Sequence, residues 1–377
     1  MTASIARPRI LVVGGGTGGH IIPALAVARE LVACAHAEIL FVGTGRGLES
    51  RLVPEAGYPL QLVPAGPLNQ VSLATRLRTA SQLPLALFRC IRILRDFRPH
   101  AVLGVGGYAS GPGMAAALLL GVPTLAFEPN AVPGLTNRLV GRFVSAAAVN
   151  FPPAARWFRH AEVTGIPVRP EFFSIPPLDA APTHDPAQPL HLLVFGGSQG
   201  ARILNSLLPP LVPALLREFP ALTVLHQAGA RHAEATRAAY AQACDAAETT
   251  PARWRVEPFL DNMADCFQRA HLVLARSGAS TVAELAAAGR PALLVPFAAA
   301  ADNHQQRNAE VMQQAGAAAL LTETELRQQP ALLLKTLRDL FADRDHLAAM
   351  GNSARALAHP QAAAQIAERL LALARLR

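Results

Sequence analysis

The sequence predicts an α/β protein built from two doubly wound domains. Three observations carry that expectation. A strand, a glycine loop and a helix open the chain near Arg9, and the same order returns near Leu190. A proline-rich stretch lies between them. At 377 residues, the chain exceeds one ordinary core and suits two of about 150–200 residues each.

Arg9-Ile-Leu-Val-Val13 is a short apolar run with the character of a buried strand. Gly14-Gly-Gly-Thr-Gly-Gly-His20 follows, and a helix is expected from near Pro23 through Leu31. Glu38–Gly43 is a second strand. Ala101–Val105 is another, leading into a second glycine loop, Gly106–Gly113. A helix from Met114 and a strand at Pro123–Phe127 complete the first pattern. Gly165–Pro189 holds seven prolines and reads as a linker. Leu190–Phe195 is then a strand, Gly196–Gly200 a glycine loop, and a helix begins at Ala201. The expected division is 1–164, a linker at 165–189, 190–355, and a terminal helix at 356–377. Ligands of such sheets bind at the carboxyl ends of the strands, so the glycine loops are expected to face a cleft.

Composition narrows the function. Hydrophobic residues make up 51% and charged residues 16%, which excludes disorder as the main state. Mean hydropathy is +0.26, yet no run of about 18 uncharged apolar residues marks a membrane span. The apolar run Ile10–Val13 breaks into glycines and does not read as a signal peptide, so the cytoplasm is the expected compartment. Cys34, Cys90, Cys244 and Cys266 lack metal-ligand spacing and read as buried free thiols. Asp343-Arg-Asp345 looks like a metal-binding D-x-D but lies far from any glycine loop and reads as solvated surface. No metal site is expected. Net charge is +8, and residues 1–150 hold 13 basic against 6 acidic residues. A basic first half points to an anionic partner there: nucleic acid, phosphate or anionic lipid.

Gly14, Gly16 and Gly19 satisfy G-x-G-x-x-G. Glycines let the backbone approach a diphosphate, and the helix N-terminus adds N–H donors and a positive dipole end. A tight turn packing helix on sheet accounts for the same pattern. Dinucleotide binding also calls for a carboxylate after the second strand; here the strand leads to Arg46, which suits a 2′-phosphate, so a reductase is weakened and not excluded. His20 opens a helix whose dipole disfavours imidazolium, which suits a general base; a capping or packing histidine fits equally. Ser280, Thr281 and Glu284 follow the strand His271–Ala275. They suit a capping box, or a phosphate on the helix N-terminus with Glu284 on a ribose. Asp302–Asn308 is a polar run fit either to read sugar hydroxyls or to start a solvated helix. From Leu73 to Phe97, leucines and other apolar residues interleave with Arg76, Arg78, Arg89, Arg92 and Arg95. That pattern suits a helix at an anionic membrane, or an ordinary surface helix.

Seven stretches together resemble the MurG family: GGGTGGHIIPALAVA (14–28), GVGGYASGP (104–112), NAVPGLTNR (130–138), GIPVR (165–169), FGGSQGARILN (195–205), RSGASTVAEL (276–285) and DNHQQRNA (302–309). These are the undecaprenyl-diphospho-muramoylpentapeptide β-N-acetylglucosaminyltransferases of peptidoglycan synthesis. The resemblance implies a GT-B fold, two Rossmann-like domains facing a cleft, with the last helix returning to the first. It implies inverting, metal-independent, cofactor-free transfer of GlcNAc from UDP-GlcNAc to the C4 hydroxyl of the muramoyl sugar of lipid I. The product is lipid II.

By the same resemblance, Arg169 and Ser198 would contact the donor phosphates, with Ala279, Ser280 and Thr281 beside them. Glu284 would hold the ribose and Leu260 would lie near the uracil. His304, Gln305 and Asn308 would lie near the GlcNAc, and Thr17, Gly18 and Gly19 would also touch the donor. Gly15, Gly16, Gly106, Gly107 and Tyr108 would hold the acceptor, with His20 as base and Asn130 near the reacting hydroxyl. The implied location is peripheral, on the cytoplasmic face of the cell membrane, through residues 73–97. Other cell-wall synthesis proteins are implied partners, and nucleic acid is not. The chain departs from the family pattern at Pro129 and Ile166, where glutamine and asparagine are common, and at His304, where some members have glutamine. A UDP-GlcNAc 2-epimerase and a diacylglycerol glycosyltransferase are the rival readings; the basic apolar stretch and NAVPGLTNR count against the epimerase.

Overall fold

The computed structural model describes residues 7–45, 47–66, 72–178, 189–247 and 253–375. The chain forms two compact units: Met1–Val168 with His359–Arg377, and Arg169–Ala358.

The first unit runs β1 (Arg9–Val13), α1 (Gly18–Ala35), β2 (Glu38–Gly43), α2 (Glu49–Glu55), β3 (Leu60–Leu62), α3 (Leu73–Phe97), β4 (Ala101–Gly104), α4 (Ser110–Leu119), β5 (Thr124–Glu128), α5 (Leu135–Val140), β6 (Ala146–Val149) and β7 (Ala161–Val163). Its strands form one parallel sheet, ordered β3-β2-β1-β4-β5-β6-β7. Ile10–Val13 and Ala101–Leu103 are at most 1% exposed, as expected for central parallel strands covered on both faces. Leu11, Val13, Cys90, Leu94, Met114 and Val140 belong to one core cluster, so α3, α4 and α5 share a face of the sheet.

Helix α1 starts at Gly18, five residues before the expected Pro23. The glycines that read as loop supply its first turn, and Pro23 sits inside it. By length and composition alone α1 would cross a membrane. Here Ile21, Ala24, Leu25, Val27, Ala28 and Leu31 lie buried in the unit's core. Helix α4 likewise starts at Ser110, four residues before Met114.

The second unit runs α6 (Pro170–Phe173), β8 (Leu190–Phe195), α7 (Arg202–Leu207), α8 (Val212–Glu218), β9 (Leu222–Gln227), α9 (Ala233–Asp245), β10 (Trp254–Glu257), α10 (Met263–Arg269), β11 (Leu272–Ala275), α11 (Ala279–Ala288), β12 (Ala292–Leu294), α12 (His304–Gln314), β13 (Ala318–Leu320), α13 (Glu323–Gln328), α14 (Ala331–Ala342) and α15 (Arg344–Ala356). Its sheet is parallel throughout, ordered β10-β9-β8-β11-β12-β13. The last helix, α16 (Ala362–Arg375), belongs to the first unit and packs on α1, β4 and β5. Its Ile366, Leu370 and Leu373 are buried at helical spacing. Each such side chain is worth about 1.5–3 kcal/mol on burial.

The stretch 165–189 is not uniform linker. Gly165–Val168 belongs to the first unit and Arg169 onward to the second. Pro170 opens α6, where its missing N–H costs nothing. Phe172 is fully buried, edge-on to Phe267 at 5.2 Å between ring centroids. Residues 179–188 lie outside the described residues. The cysteines divide: Cys90 and Cys244 are buried, but Cys34 is exposed and Cys266 half-buried, so the expectation of four buried thiols holds for two. Asp343 accepts from the His346 amide and so caps α15.

Candidate active site

In the first unit, strand order reverses between β1 and β4, where ligands of such sheets bind. The loops leaving those strands meet backbone to backbone. The Gly15 amide donates to the Gly106 carbonyl at 3.1 Å. A Cβ on Gly107 would come within 2.0 Å of the Gly15 carbonyl oxygen. Gly14, Gly15 and Gly16 hold φ of 136°, 138° and 97°, which L side chains rarely adopt.

Glu49 fixes this loop from beneath. It is 1% exposed and accepts from the Gly16 amide at 2.6 Å and from the Thr44 amide and hydroxyl, each at 2.9 Å. A Cβ on Gly15 would collide with its carboxylate. Gly16 has open space where a side chain would be, so its backbone is approachable.

His20 is half-buried at the third position of α1. Thr17 occupies the N-cap without capping the backbone; its Oγ1 lies 3.2 Å from His20 Nδ1 instead. The first-turn amides at Gly18 and Gly19 are therefore not served by the cap side chain. In the tautomer whose Nδ1–H donates to Thr17, Nε2 is the basic nitrogen. It faces the second glycine loop: a Cβ on Gly106 would sit 3.1 Å from it. Tyr108, next on that loop, is 49% exposed.

Asn130 follows β5 and is held by Glu128, a carboxylate that sequence reasoning missed. Glu128 is 2% exposed. Its Oε1 accepts from the Asn130 amide (2.9 Å) and Nδ2 (3.3 Å), and its Oε2 from the Gly134 amide (3.1 Å) and Asn137 Nδ2 (2.9 Å). Burial pushes the carboxyl above its usual range, and these four donors oppose the shift. The available signal was that Glu128 is the single carboxylate between Asp96 and Glu162. At Pro129 the carbonyl still works, accepting from Asn150 Nδ2 at 3.2 Å. Ile166 is buried at 3% exposure. Arg46 lies outside the described residues.

In the second unit the order reverses between β8 and β11. Gly197 (φ 82°) has open space above it, and Ser198 beside it is exposed. Helix α11 begins at Ala279 with Gly278 as N-cap and no side-chain cap. Ser280 and Thr281 are therefore inside the helix, and the expected capping box is absent. Glycine was the actual stop, which leaves the first-turn amides for another acceptor.

Glu284 lies a turn further along α11, and its carboxylate is 3.9 Å from Arg169 NH2. Arg169 also reaches Glu171 at 3.6 Å and stacks over Phe172 at 4.9 Å from the ring centroid. Burial pushes the Glu284 carboxyl up to about 7; Arg169 opposes the shift and Glu171 reinforces it. Leu260 is half-buried after β10.

The polar run at 302–308 serves two purposes. Asp302 and Asn303 are exposed with φ of 53° and 54°. Behind them, Gln305 accepts from the Phe297 amide at 2.9 Å, and its carbonyl accepts from Ser277 Oγ at 2.7 Å. Asn308 is fully buried and donates to the Ser277 carbonyl at 3.1 Å. His304 Nδ1–H donates to the Ala301 carbonyl at 2.7 Å. These side chains join the β11 and β12 loops to α12. Beneath them Arg276 pairs with Glu323 at 2.6 Å, both nearly buried.

Among the described residues, no group of three or more His, Cys, Asp or Glu could hold a metal ion.

Comparison with known proteins places the family and the fold. Residues 10–149 match the glycosyltransferase family 28 N-terminal domain, and residues 191–369 match the family's C-terminal domain. A UDP-N-acetylglucosamine–N-acetylmuramyl-(pentapeptide) pyrophosphoryl-undecaprenol N-acetylglucosamine transferase of Nitrosococcus oceani is 45% identical, over 97% of this chain and 99% of that protein. The crystal structure of Acinetobacter baumannii MurG superposes with a TM-score of 0.80 at 32% identity, covering 97% and 99% of the two chains. A UDP-GlcNAc 2-epimerase from Neisseria meningitidis, at 13% identity and a TM-score of 0.64, shares the fold alone. The chain is a GT-B-type protein of glycosyltransferase family 28 and belongs to its MurG family.

Proposed function

We infer that this chain is an N-acetylglucosaminyltransferase that moves GlcNAc from UDP-GlcNAc to the muramoyl sugar of lipid I, forming lipid II. The full-length match at 45% identity to a transferase of that name carries the inference. The epimerase and diacylglycerol-transferase readings are not favoured.

The second unit suits the donor. The uncapped amides of α11 at Ala279–Thr281, the Ser198 loop and Arg169 meet the negative charge of the diphosphate. The Glu284 carboxylate accepts from the ribose hydroxyls, and Leu260 covers the uracil. His304 and Gln305 lie toward the GlcNAc, and Asn308 keeps their loops in place. The first unit suits the acceptor. Gly15, Gly16, Gly106 and Gly107 offer approachable backbone to its diphosphate, with Tyr108 beside them. Asn130, fixed by Glu128, lies toward the reacting hydroxyl.

In the transfer step the C4 oxygen forms a bond to the anomeric carbon as the bond to the UDP oxygen breaks. His20 Nε2 takes the hydroxyl proton. UDP leaves with the electron pair, its new charge met by helix amides, dipole and guanidinium. Attack opposite the leaving group inverts the anomeric carbon.

We propose peripheral attachment to the cytoplasmic face of the membrane through α3. Leu77, Leu85 and Phe88 are 48–64% exposed there, among the exposed Arg76, Arg78, Arg89 and Arg92. Leu94 is buried and Leu83, Leu87 and Ile91 half-buried, so these four face the core instead. Leu119 on neighbouring α4, Leu139 on α5 and Phe143 just beyond it, 66–72% exposed, add apolar surface. An anionic surface attracts such arginines at about 1 kcal/mol each.

The test is transfer of radiolabelled GlcNAc from UDP-GlcNAc to a short-chain lipid I analogue with EDTA present. Labelled disaccharide-lipid supports donor, acceptor and metal independence together. Bound UDP-GlcNAc without product would overturn the reading.

A further inference from the structure

A second polar cavity lies in the first unit, at the amino-terminal edge of its sheet. It has a volume of about 680 Å³. The glycine loops leave the opposite, carboxyl ends of the same strands, so this cavity is not part of the acceptor site. Arg9, Arg95 and Arg98 line it over an apolar wall of Leu94, Leu120 and Val122. Leu94 and Val122 are at most 5% exposed, so the wall is built from the core.

Glu38 stands opposite Arg9 in the β1–β2 register and Asp96 follows Arg95, but neither forms an ion pair with the three arginines. Two other exposed arginines of this unit do pair with a carboxylate one turn away, Arg51 with Glu55 and Arg92 with Asp96. Among the described residues, Arg9, Arg95 and Arg98 have no carboxylate within ion-pair distance, and no carboxylate lines the cavity. Arg9 is held in place: its amide donates to His100 Nδ1 at 2.9 Å and its Nε donates to the Arg98 carbonyl at 3.0 Å. One positive charge would complement the C-terminal dipole of α3; three exceed it.

Arg98 offers a clean substitution for a test. It ends α3 with φ of 50°, a conformation in which glycine is the usual occupant.

We propose that this cavity is a phosphate-binding site, separate from the donor and acceptor sites, taking a phosphate group on Arg9, Arg95 and Arg98. The apolar wall accommodates the organic part of a phosphate ester. Free polyphosphate and an anionic lipid headgroup share this chemistry.

The experiment titrates the protein, saturated with UDP-GlcNAc, with inorganic pyrophosphate and separately with monomeric dihexanoyl phosphatidylglycerol. Affinities are read by calorimetry for wild type, Arg98→Gly and Arg95→Gln. Arg98→Gly removes the charge while relieving the left-handed backbone, so it should fold at least as well as wild type. Arg95→Gln keeps the test open should it not. Both variants should bind at least one probe tenfold or more weakly than wild type, while transfer to a water-soluble acceptor analogue is retained. Loss for pyrophosphate alone assigns a free phosphate ligand, and loss for phosphatidylglycerol alone assigns a lipid headgroup. Equal affinities of wild type and both variants for both probes would overturn the proposal.

Discussion

Glu284→Gln gives the sharpest quantitative test of the donor site. Burial pushes the Glu284 carboxyl from its ordinary 4.5 up to about 7. Ribose hydroxyls donate to a carboxylate, so only the ionised form accepts both hydrogen bonds. About a tenth of the sites are ionised at pH 6 and about nine-tenths at pH 8, given a midpoint of about 7. UDP-GlcNAc, whose diphosphate diester keeps its charge over this range, should therefore bind roughly tenfold more tightly at pH 8 than at pH 6, about 1.4 kcal/mol. The glutamine variant should show a flat profile, and at pH 8 should bind about 1–3 kcal/mol more weakly than wild type.

Stability should move the other way. The folded carboxyl titrates above the unfolded one, so its contribution is fully present below pH 4.5 and is lost as pH rises to about 7. The interval corresponds to up to about 3 kcal/mol. Ligand-free Glu284→Gln should therefore melt above wild type at pH 8 and with it near pH 4.5. Calorimetric titration and thermal melts across pH read both effects. An affinity independent of pH in wild type, or a pH dependence kept in the variant, would refute the argument.

Three further predictions concern the first unit. His20→Ala should slow transfer by about 10²–10⁴-fold with UDP-GlcNAc affinity unchanged; near wild-type turnover in a steady-state assay would remove His20 as base. Glu49→Gln should weaken the prop under Gly16 and Thr44, lowering stability by about 1–3 kcal/mol and raising KM for the acceptor. Unchanged denaturant midpoint and acceptor KM would show that the loop holds itself. Replacing any two of Arg76, Arg89 and Arg92 by glutamate should loosen binding to anionic vesicles several-fold in co-sedimentation. Equal sedimentation would place the membrane face elsewhere.

The strand–glycine-loop–helix openings were legible because their chemistry is local. A tight turn with positive φ requires glycine, and its flanking strand is a bare apolar run. The carboxylates behind the loops were not legible for the opposite reason. Glu49 meets Gly16 across 33 positions of sequence, and nothing near Glu49 announces its burial. Glu128 reads as the polar end of a strand until the chain folds back to set Asn130 and Asn137 on it. At 276–285 the sequence allowed a capping box or an open helix N-terminus for a phosphate; Gly278 takes the N-cap and leaves the amides open. Composition left the run at 302–308 open between reading sugar hydroxyls and starting a solvated helix. The bonds of Gln305 and Asn308 to Phe297 and Ser277 depend on where two loops meet. The proline stretch hid Phe172, whose burial depends on α10 nearly a hundred residues later.

The central claim is glycosyl transfer to a muramoyl hydroxyl with inversion. Its most direct test is a proton NMR spectrum of the product formed from UDP-GlcNAc and a short-chain lipid I analogue. The expected product carries a β-linked GlcNAc on the C4 oxygen of the muramoyl residue, recognisable by the large trans-diaxial coupling of its anomeric proton. An α-linked disaccharide, or conversion of UDP-GlcNAc to its 2-epimer with lipid I untouched, would contradict it.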